Sequence, residues 1–251
     1  MQSFYILYFF ITGIIFGSFY NVVGIRVPNK QLFESQRSYC PHCNHTLKWY
    51  ELIPVFSFIF QRGKCRSCHK PISILYPAIE LFTGILFMYS YIHFGFSKEL
   101  VVSLLFMSLL AIIVVTDLRY MLIPDKILLF FLPLLVIARI WVPLTPWWSS
   151  IVGAVIGVVL LALIIIVSRG GMGGGDMKLF GLLGIVLGHK YVLLAFFLST
   201  LYGTVLSILL IAFGLIERKK PVPFGPFIVL GTITTYFFGD TLINWYLNLF
   251  Y

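Results

Sequence analysis

The chain has 251 residues, of which 60% are hydrophobic and 11% charged, and its formal net charge is +9. This composition excludes a soluble globular domain and is typical of an integral membrane protein. The positive charge does not indicate a nucleic-acid-binding protein, because the Lys and Arg residues lie between long apolar segments, as membrane topology requires.

Eight apolar segments have about the length that crosses a bilayer, which is roughly 20 residues. They cover residues 4–24, 74–94, 99–116, 126–143, 148–167, 177–189, 191–215 and 226–248. The sixth is short, and we expect a tilted or partial span there. The first lacks a basic n-region and stays apolar to Val23, so it does not resemble a cleavable signal peptide. The sequence predicts an all-α, polytopic membrane protein with about eight transmembrane helices.

The basic residues predict the orientation of these spans in the bilayer. Fifteen of the 18 Lys and Arg residues lie in four connections: the segment 25–73 and the loops after the third, fifth and seventh spans. With eight spans these connections share one face, which the positive-inside rule places in the cytoplasm. Both termini are then expected outside. Without the short sixth span, the basic loop after the seventh span would lie outside the cytoplasm, contrary to the positive-inside rule.

The connection 25–73 contains two cysteine pairs, Cys40/Cys43 and Cys65/Cys68, with 21 residues between the pairs. Two CxxC hairpins present four thiolates to one zinc ion, and such a site folds a piece of chain too small to build its own core. Disulfides are not expected in the reducing cytoplasm. The alternative interpretation of the four cysteines is a redox role. Three nearby histidines are either substitute ligands or surface residues: His42, His45 and His69. We therefore expect a first helix plus zinc-binding loop at 1–73 and a transmembrane domain at 74–251.

Asp117 follows an apolar run at the predicted cytoplasmic end of the third span. A negative charge is disfavoured at the C-terminal end of a helix, so capping does not explain this residue. Asp125 follows Pro124, which typically begins a helix, and a carboxylate is favoured in a first helical turn. For Asp125 a helix-start role is the simpler interpretation. Asp117 is therefore the stronger candidate for chemistry.

Asp176 ends a glycine-rich loop at residues 170–175, at the start of the sixth span. It either caps that helix or takes part in chemistry. Two carboxyl groups brought together share one proton, so that one acts as a base and the other as an acid. Asp117 and Asp176 would in this way suit an aspartyl protease, although a proton or cation pathway would use similar residues.

The remaining features have simpler interpretations. Glu80 lies inside the second span, where a charge is costly, and we expect it to be protonated or paired. Asp240 is expected at the surface near the outer end of the last span. The Pro-rich stretch 221–227 is expected to initiate the last helix.

The chain resembles the bacterial type IV prepilin peptidases over nearly its whole length. The resemblance lies first in the two CxxC pairs. The other matching stretches are GSFYNVV (17–23) with Arg26 and Pro28, LIP (52–54), YPAIE (76–80), DLRYMLIPD (117–125), GGGD (173–176) with Lys178, and PFGP (223–226). The family's catalytic aspartates are the first residue of the D-x6-P motif and the Asp of GxGD. The resemblance implies that Asp117 and Asp176 hold these roles.

The resemblance also implies the substrate and the location. Such enzymes lie in the bacterial plasma membrane and cleave prepilins or pseudopilins of pilus, secretion or competence systems, after a glycine at the cytoplasmic boundary. Many members then methylate the new N-terminus with S-adenosylmethionine, for which the sequence shows no separate site. The leaders of the substrates are usually basic, and the loop 25–73 is basic too, so attraction between them does not explain recognition of the leader. That recognition is left to Glu34, Glu51 or the two aspartates. A cation transporter regulated by the zinc loop, or a structural membrane subunit, is the alternative.

Overall fold

The computed structural model describes residues 1–31, 37–169, 171–214 and 222–249. Within these ranges the chain is almost entirely helical, with two isolated β-bridges in the cysteine-containing loop. The predicted all-α class is confirmed. Glu34, Pro221 and the basic cluster at 218–220 lie outside the described residues.

The chain forms two compact units, Met1–Val115 and Thr116–Tyr251. The first contains α1 (Gln2–Arg26), a 3-10 turn (Trp49–Leu52), α2 (Phe56–Phe60), α3 (Leu75–Phe94) and most of α4 (Lys98–Tyr120). The second contains the end of α4, α5 (Asp125–Trp141), α6 (Ser149–Val167), α7 (Gly174–Ala212) and α8 (Gly225–Leu247). The predicted division at residue 73 remains a prediction.

In the first unit, α1 packs closely against α3 because α1 presents small residues at the contact. A Cβ on Gly13 would lie 2.7 Å from the carbonyl oxygen of Thr83, and one on Gly17 would lie 2.8 Å from the Cα atom of Glu80. Small residues at this spacing let two membrane helices approach at backbone distance. This contact places Glu80 of α3 directly beside α1, next to Gly17.

In the second unit, α7 has 39 residues and contains a break at Gly188, whose φ of 81° and ψ of 177° are not helical. A straight helix of that length would extend about 58 Å, nearly twice the apolar core of a bilayer. A positive φ is accessible to glycine at little cost, so Gly188 permits the bend.

The neighbours of α7 show that the chain reverses direction at Gly188. Before the break, α7 packs on α6, where Gly157 meets Phe180. After it, α7 packs on α8, where Tyr191 donates a hydrogen bond to Asp240 and Gly203 meets Phe224. Because Phe224 and Asp240 lie at opposite ends of α8, residue 203 returns toward the end from which α8 starts. The structure thus has two helical arms where the sequence predicts the sixth and seventh spans.

Six described helices, α1, α3, α4, α6, α7 and α8, are long and apolar enough to cross a membrane. The 17-residue α5 is slightly shorter than these. With α7 counted as two arms and α5 included, the described helices correspond to the eight predicted segments. The chain is a multi-pass membrane protein.

Candidate active site

Asp117 lies in the last turn of α4 and is buried, with 6% of its surface exposed. The end of this helix does not stabilise a carboxylate, but the start of α8 does. The backbone N–H of Gly225, the first residue of α8, donates a hydrogen bond to Asp117 Oδ2 at 2.6 Å. A helix N-terminus carries a partial positive charge, so α8 supplies the compensation that α4 lacks.

Gly225 makes this contact possible because it has no side chain. A Cβ at this position would lie 2.7 Å from Oδ2 of Asp117 and 2.8 Å from its Cγ. Both separations are shorter than van der Waals contact, so any larger residue would displace the carboxylate or the helix. From the sequence alone, the stretch 221–227 is expected only to initiate a helix, so this role of Gly225 was not predicted. The Pro-Phe-Gly-Pro order of 223–226 is the available signal, because a glycine between two prolines suits a backbone that approaches another group closely.

Asp176 is the third residue of α7 and is half-buried. Its Oδ2 accepts a hydrogen bond from the backbone N–H of Gly173 at 3.2 Å, so it does help to cap its helix. It also lies close enough to Asp117 for the two carboxyl groups to interact electrostatically. Capping and proximity to a second carboxyl group therefore coexist at this residue.

The loop after Asp117 brings α4 and the start of α7 together. Met121 closes the end of α4 by donating its N–H to the carbonyl oxygen of Asp117, and its positive φ of 51° redirects the chain. Ile123 is then buried against Gly175, where a Cβ would lie 3.0 Å from the Cβ of Ile123. Gly175 thus allows the first turn of α7 to pack against this loop.

Asp125 and Lys178 form an ion pair at the same end of the second unit. Lys178 Nζ lies 2.8 and 2.7 Å from the two carboxylate oxygens of Asp125. Pro124 has an extended backbone, and α5 begins at Asp125, as the helix-start interpretation predicts. Both side chains are more than half exposed, so the pair connects the starts of α5 and α7 at the surface.

The four cysteines lie together in the first unit, with all four Sγ atoms within 4.8 Å of one another. Cys40 and Cys68 have Sγ atoms 3.9 Å apart, as do Cys43 and Cys65. Tetrahedral zinc with Zn–S bonds of about 2.3 Å requires sulfur separations of about 3.8 Å. The cluster therefore fits a four-coordinate metal ion.

The two cysteine pairs are built alike. In each hairpin the first cysteine donates its N–H five residues ahead, from Cys40 to the carbonyl oxygen of His45 and from Cys65 to that of Lys70. The residue after the second cysteine has a positive φ, 54° at Asn44 and 56° at His69. Two equivalent hairpins facing each other make a closed four-sulfur site, whereas a redox site requires only one reactive pair.

The thiols of this cluster influence one another. Burial raises the pKa of Cys40, but hydrogen bonds from the backbone of His42 and Cys43 and from neighbouring thiols outweigh burial and lower it to about 7. At Cys68 the backbone of Lys70 lowers the pKa, but burial and the other three thiols raise it to about 11. The Cys40 thiol therefore loses its proton easily, whereas the Cys68 thiol keeps its proton. A bound cation would be needed to hold all four cysteines as thiolates.

The polar residues around the cluster do not replace its sulfur ligands. His42 and His69 are exposed, and His45 Nε2 lies 3.6 Å from Glu51 Oε2. Glu51 is buried and accepts a hydrogen bond from the Lys48 N–H at 2.8 Å. These contacts give Glu51 a role in shaping the loop.

Two family models match the chain. The bacterial peptidase A24 N-terminal domain matches residues 11–94, and the type IV leader peptidase family matches residues 104–208. The first match contains the cysteine loop, and the second contains both aspartates. No solved structure matches the chain.

Several curated proteins are similar to this chain over most of its length, and each is named prepilin leader peptidase/N-methyltransferase. The protein from Bacillus subtilis strain 168 is 46% identical over 240 residues, covering 96% of this chain and 97% of the relative. The protein from Legionella pneumophila is 33% identical and covers 84% of this chain and 76% of the relative. That from Xanthomonas campestris pv. campestris is 33% identical and covers 94% and 92%.

Proposed function

Because this chain belongs to the type IV leader peptidase family, we propose that Asp117 and Asp176 carry out its cleavage of prepilin leaders. The protein is a membrane protease that processes prepilins. The observation that supports the assignment is that the loop directly after Asp117 packs, through Ile123, against Gly175 in the first turn of α7, which carries Asp176 59 residues further along the chain. None of the findings favours the alternative of a cation transporter.

The proposed reaction is hydrolysis with a shared proton. The ionised carboxylate accepts a proton from water as the water oxygen attacks the scissile carbonyl carbon, and the neutral carboxyl group protonates the carbonyl oxygen. As the C–N bond of the tetrahedral intermediate breaks, the carboxyl group that took the water proton donates it to the leaving amine. The other carboxylate takes a proton back from a hydroxyl of the intermediate as the carbonyl re-forms, which restores the starting pair. Gly225 donates its N–H to Asp117, and Gly173 donates its N–H to Asp176, so both side chains are oriented before substrate arrives.

We propose that this chemistry takes place at the cytoplasmic boundary of the bacterial plasma membrane, after a glycine of the leader. The distribution of basic residues supports this orientation. Reporter fusions at residues 45, 95, 172 and 219 should read inside, outside, inside and inside. A fusion at 172 that reads outside would separate the glycine-rich loop from the cytoplasm and contradict the proposal.

Two cofactors are part of the proposal. Cys40, Cys43, Cys65 and Cys68 would hold a structural zinc ion, which would stabilise the fold of the loop. The relatives' names include N-methyltransferase, so we extend to this chain the methylation of the new N-terminus, with S-adenosylmethionine as donor. The substrates would be type IV prepilins or pseudopilins, met within the lipid bilayer.

The test is co-expression of the protein with a prepilin, with both proteins in membranes. The wild-type protein should shorten the prepilin by the length of its leader, and mass spectrometry of the product should give the cleavage site and show whether its N-terminus is methylated. Unshortened prepilin, together with proton or cation flux in vesicles containing the purified protein, would support the transporter instead.

A further inference from the structure

Besides Glu51, the first unit contains the buried acidic residue Glu80, which the proteolytic mechanism does not use. Glu80 is 6% exposed and lies in α3, five residues after the helix begins. Its Oε2 accepts a hydrogen bond from the backbone N–H of Val55 at 2.7 Å, and the side chain of Ser18 also bonds to it. The carboxyl group is therefore held in one orientation between α1, α3 and the cysteine-containing loop.

Asn21 lies on the same side of α1 as Ser18, one turn further along, and is 1% exposed. Its Nδ2 donates to the carbonyl oxygen of Tyr76 at 3.1 Å, and Tyr76 lies one helical turn before Glu80 on α3. The same amide's Oδ1 is buried and has no hydrogen-bond partner among the described residues. An unsatisfied buried acceptor costs about 1–3 kcal/mol, so a donor is expected to occupy this place in some state of the protein.

The backbone around the group is shaped for this arrangement. Val55 has a φ of 62°, a conformation that is costly for a β-branched residue. It is nevertheless the residue whose N–H reaches Glu80. Gly17 brings the backbones of α1 and α3 together beside Glu80, and Asn21 meets α3 at Tyr76, one helical turn before Glu80.

We propose that Glu80 and Asn21 form a binding site for a protonated primary amine. One carboxylate and one amide oxygen, both acceptors, suit a monovalent cation with several N–H donors. A divalent metal ion is less suited, because Ca²⁺ or Mg²⁺ takes six or more oxygen ligands. Burial makes the ionised carboxyl group costly on its own, and a bound ammonium group would offset that cost by a charge interaction that is strong in a buried place; an apolar substituent on the amine suits the same surroundings.

The inference rests on the proposed function, since hydrolysis of a leader creates a new α-amine at the start of an apolar mature segment. That amine is one source of the ligand, and a lysine side chain of the leader is the other. Binding the α-amine in the first unit would hold the product for the methylation that the relatives' names include. Binding a lysine would instead select the substrate before cleavage.

The experiment measures peptide binding to the purified full-length protein in lipid nanodiscs. In the first arm, a lysine-free apolar peptide with a free α-amine is compared with its N-acetylated form. In the second arm, an N-acetylated peptide with one lysine is compared with the same peptide carrying acetyl-lysine. We expect the amine to bind about tenfold or more tightly than the acetylated form in one arm, and that arm identifies the source. Equal binding in both arms would overturn the proposal, and this comparison requires no variant.

Variants then connect the preference to the two residues. Glu80→Gln keeps an oxygen for the Val55 N–H but loses the charge, so it should abolish the preference while the protein remains folded in a thermal melt. Asn21→Leu should weaken the preference as well. Glu99→Gln, which removes the same charge from the first turn of α4, should keep it. An amine preference that survives in Glu80→Gln would also overturn the proposal.

The two proposals fail separately in this design. Leader cleavage is measured on the same preparations, where Asp176→Asn should lose cleavage and keep the amine preference. Glu80→Gln should lose the amine preference, and where the bound amine is a leader lysine it should also raise the KM of cleavage while leaving kcat near that of the wild-type protein. A wild-type protein that does not cleave a prepilin would contradict the proteolytic function whatever the peptides do.

Discussion

The cysteine cluster and the aspartate pair are both built from residues far apart in the chain, but they are specified differently. Each cysteine hairpin is a local structure, with its spacing, its positive-φ residue and its backbone hydrogen bond all within seven residues. The aspartate pair depends on three separate elements: the end of α4, the start of α7 and the start of α8.

The difference predicts how each site responds to change. A local hairpin is determined by its own residues, so damage to the cysteine cluster should act through folding of the loop. The aspartate pair is positioned by tertiary contacts, so residues that do no chemistry can control it. Substitutions at the two sites, and at the residues that position them, separate these two modes of failure.

The largest effect is expected for the aspartates themselves. Asp117→Asn and Asp176→Asn should each lower leader cleavage by about 100-fold or more, because Asn cannot exchange a proton. Asn retains the size and the capping oxygen of Asp, so a residue needed only for capping should tolerate the change. The measurement is cleavage of a prepilin by membranes containing each variant at equal abundance.

Asp125→Asn is the matched control for this pair of variants, since it changes an exposed carboxylate at the same end of the unit. It should keep substantial cleavage. If Asp125→Asn were inactive while Asp117→Asn still cleaved, the assignment of Asp117 would be wrong. Normal cleavage by Asp176→Asn would leave the glycine-rich loop with only a structural role.

A graded loss is expected from three glycine-to-alanine substitutions. Gly225→Ala places a Cβ 2.7 Å from Asp117 Oδ2, so cleavage should fall about tenfold or more as the carboxylate is displaced. Gly175→Ala meets Ile123 at 3.0 Å and should have a smaller effect. Gly174→Ala meets nothing within 4 Å and should leave cleavage unchanged.

The order of these three activities is the critical result. If Gly174→Ala were as damaging as Gly225→Ala, the loss would come from flexibility of the glycine-rich loop and not from contact with Asp117. Membrane abundance of each variant, measured by immunoblot, distinguishes displacement of the carboxylate from general misfolding.

An indirect effect is expected from the cysteines. Cys40→Ser and Cys68→Ser should each lower the metal content and make the loop sensitive to limited proteolysis, because the metal contributes to its folding. Protein abundance should fall several-fold and cleavage should follow it. At matched abundance the remaining activity should exceed that of Asp117→Asn. Full stability, activity and unchanged metal content with all four cysteines replaced by serine would contradict the zinc assignment.

The sequence was sufficient for the features that depend on local order. The apolar segments, the cysteine hairpins and the start of α5 at Asp125 follow from hydropathy, spacing and proline chemistry. The role of Gly225 did not follow, because its partner Asp117 is 108 residues away and only the fold brings them together. The same holds for Asn21 and Glu80, whose relation depends on how α1 packs against α3.

The smallest effect is expected for the ion pair between Asp125 and Lys178. Its two groups are 58% and 51% exposed, and exposed pairs contribute about 0.2–1 kcal/mol because water and salt screen them. Lys178→Gln should therefore lower cleavage by only about fivefold or less. The charge-swapped double variant, Asp125→Lys with Lys178→Asp, should restore much of what each single change loses.

A much larger loss in Lys178→Gln, unrelieved by the swap, would place Lys178 in contact with substrate. Raising the salt concentration provides the independent check, since a surface pair that only connects α5 to α7 should lose its influence as salt increases. The wild-type and Lys178→Gln proteins should then converge in cleavage rate. Continued separation at high salt would mean that Lys178 acts on the aspartates or the peptide, and that the start of α7 contributes a third group to the chemistry.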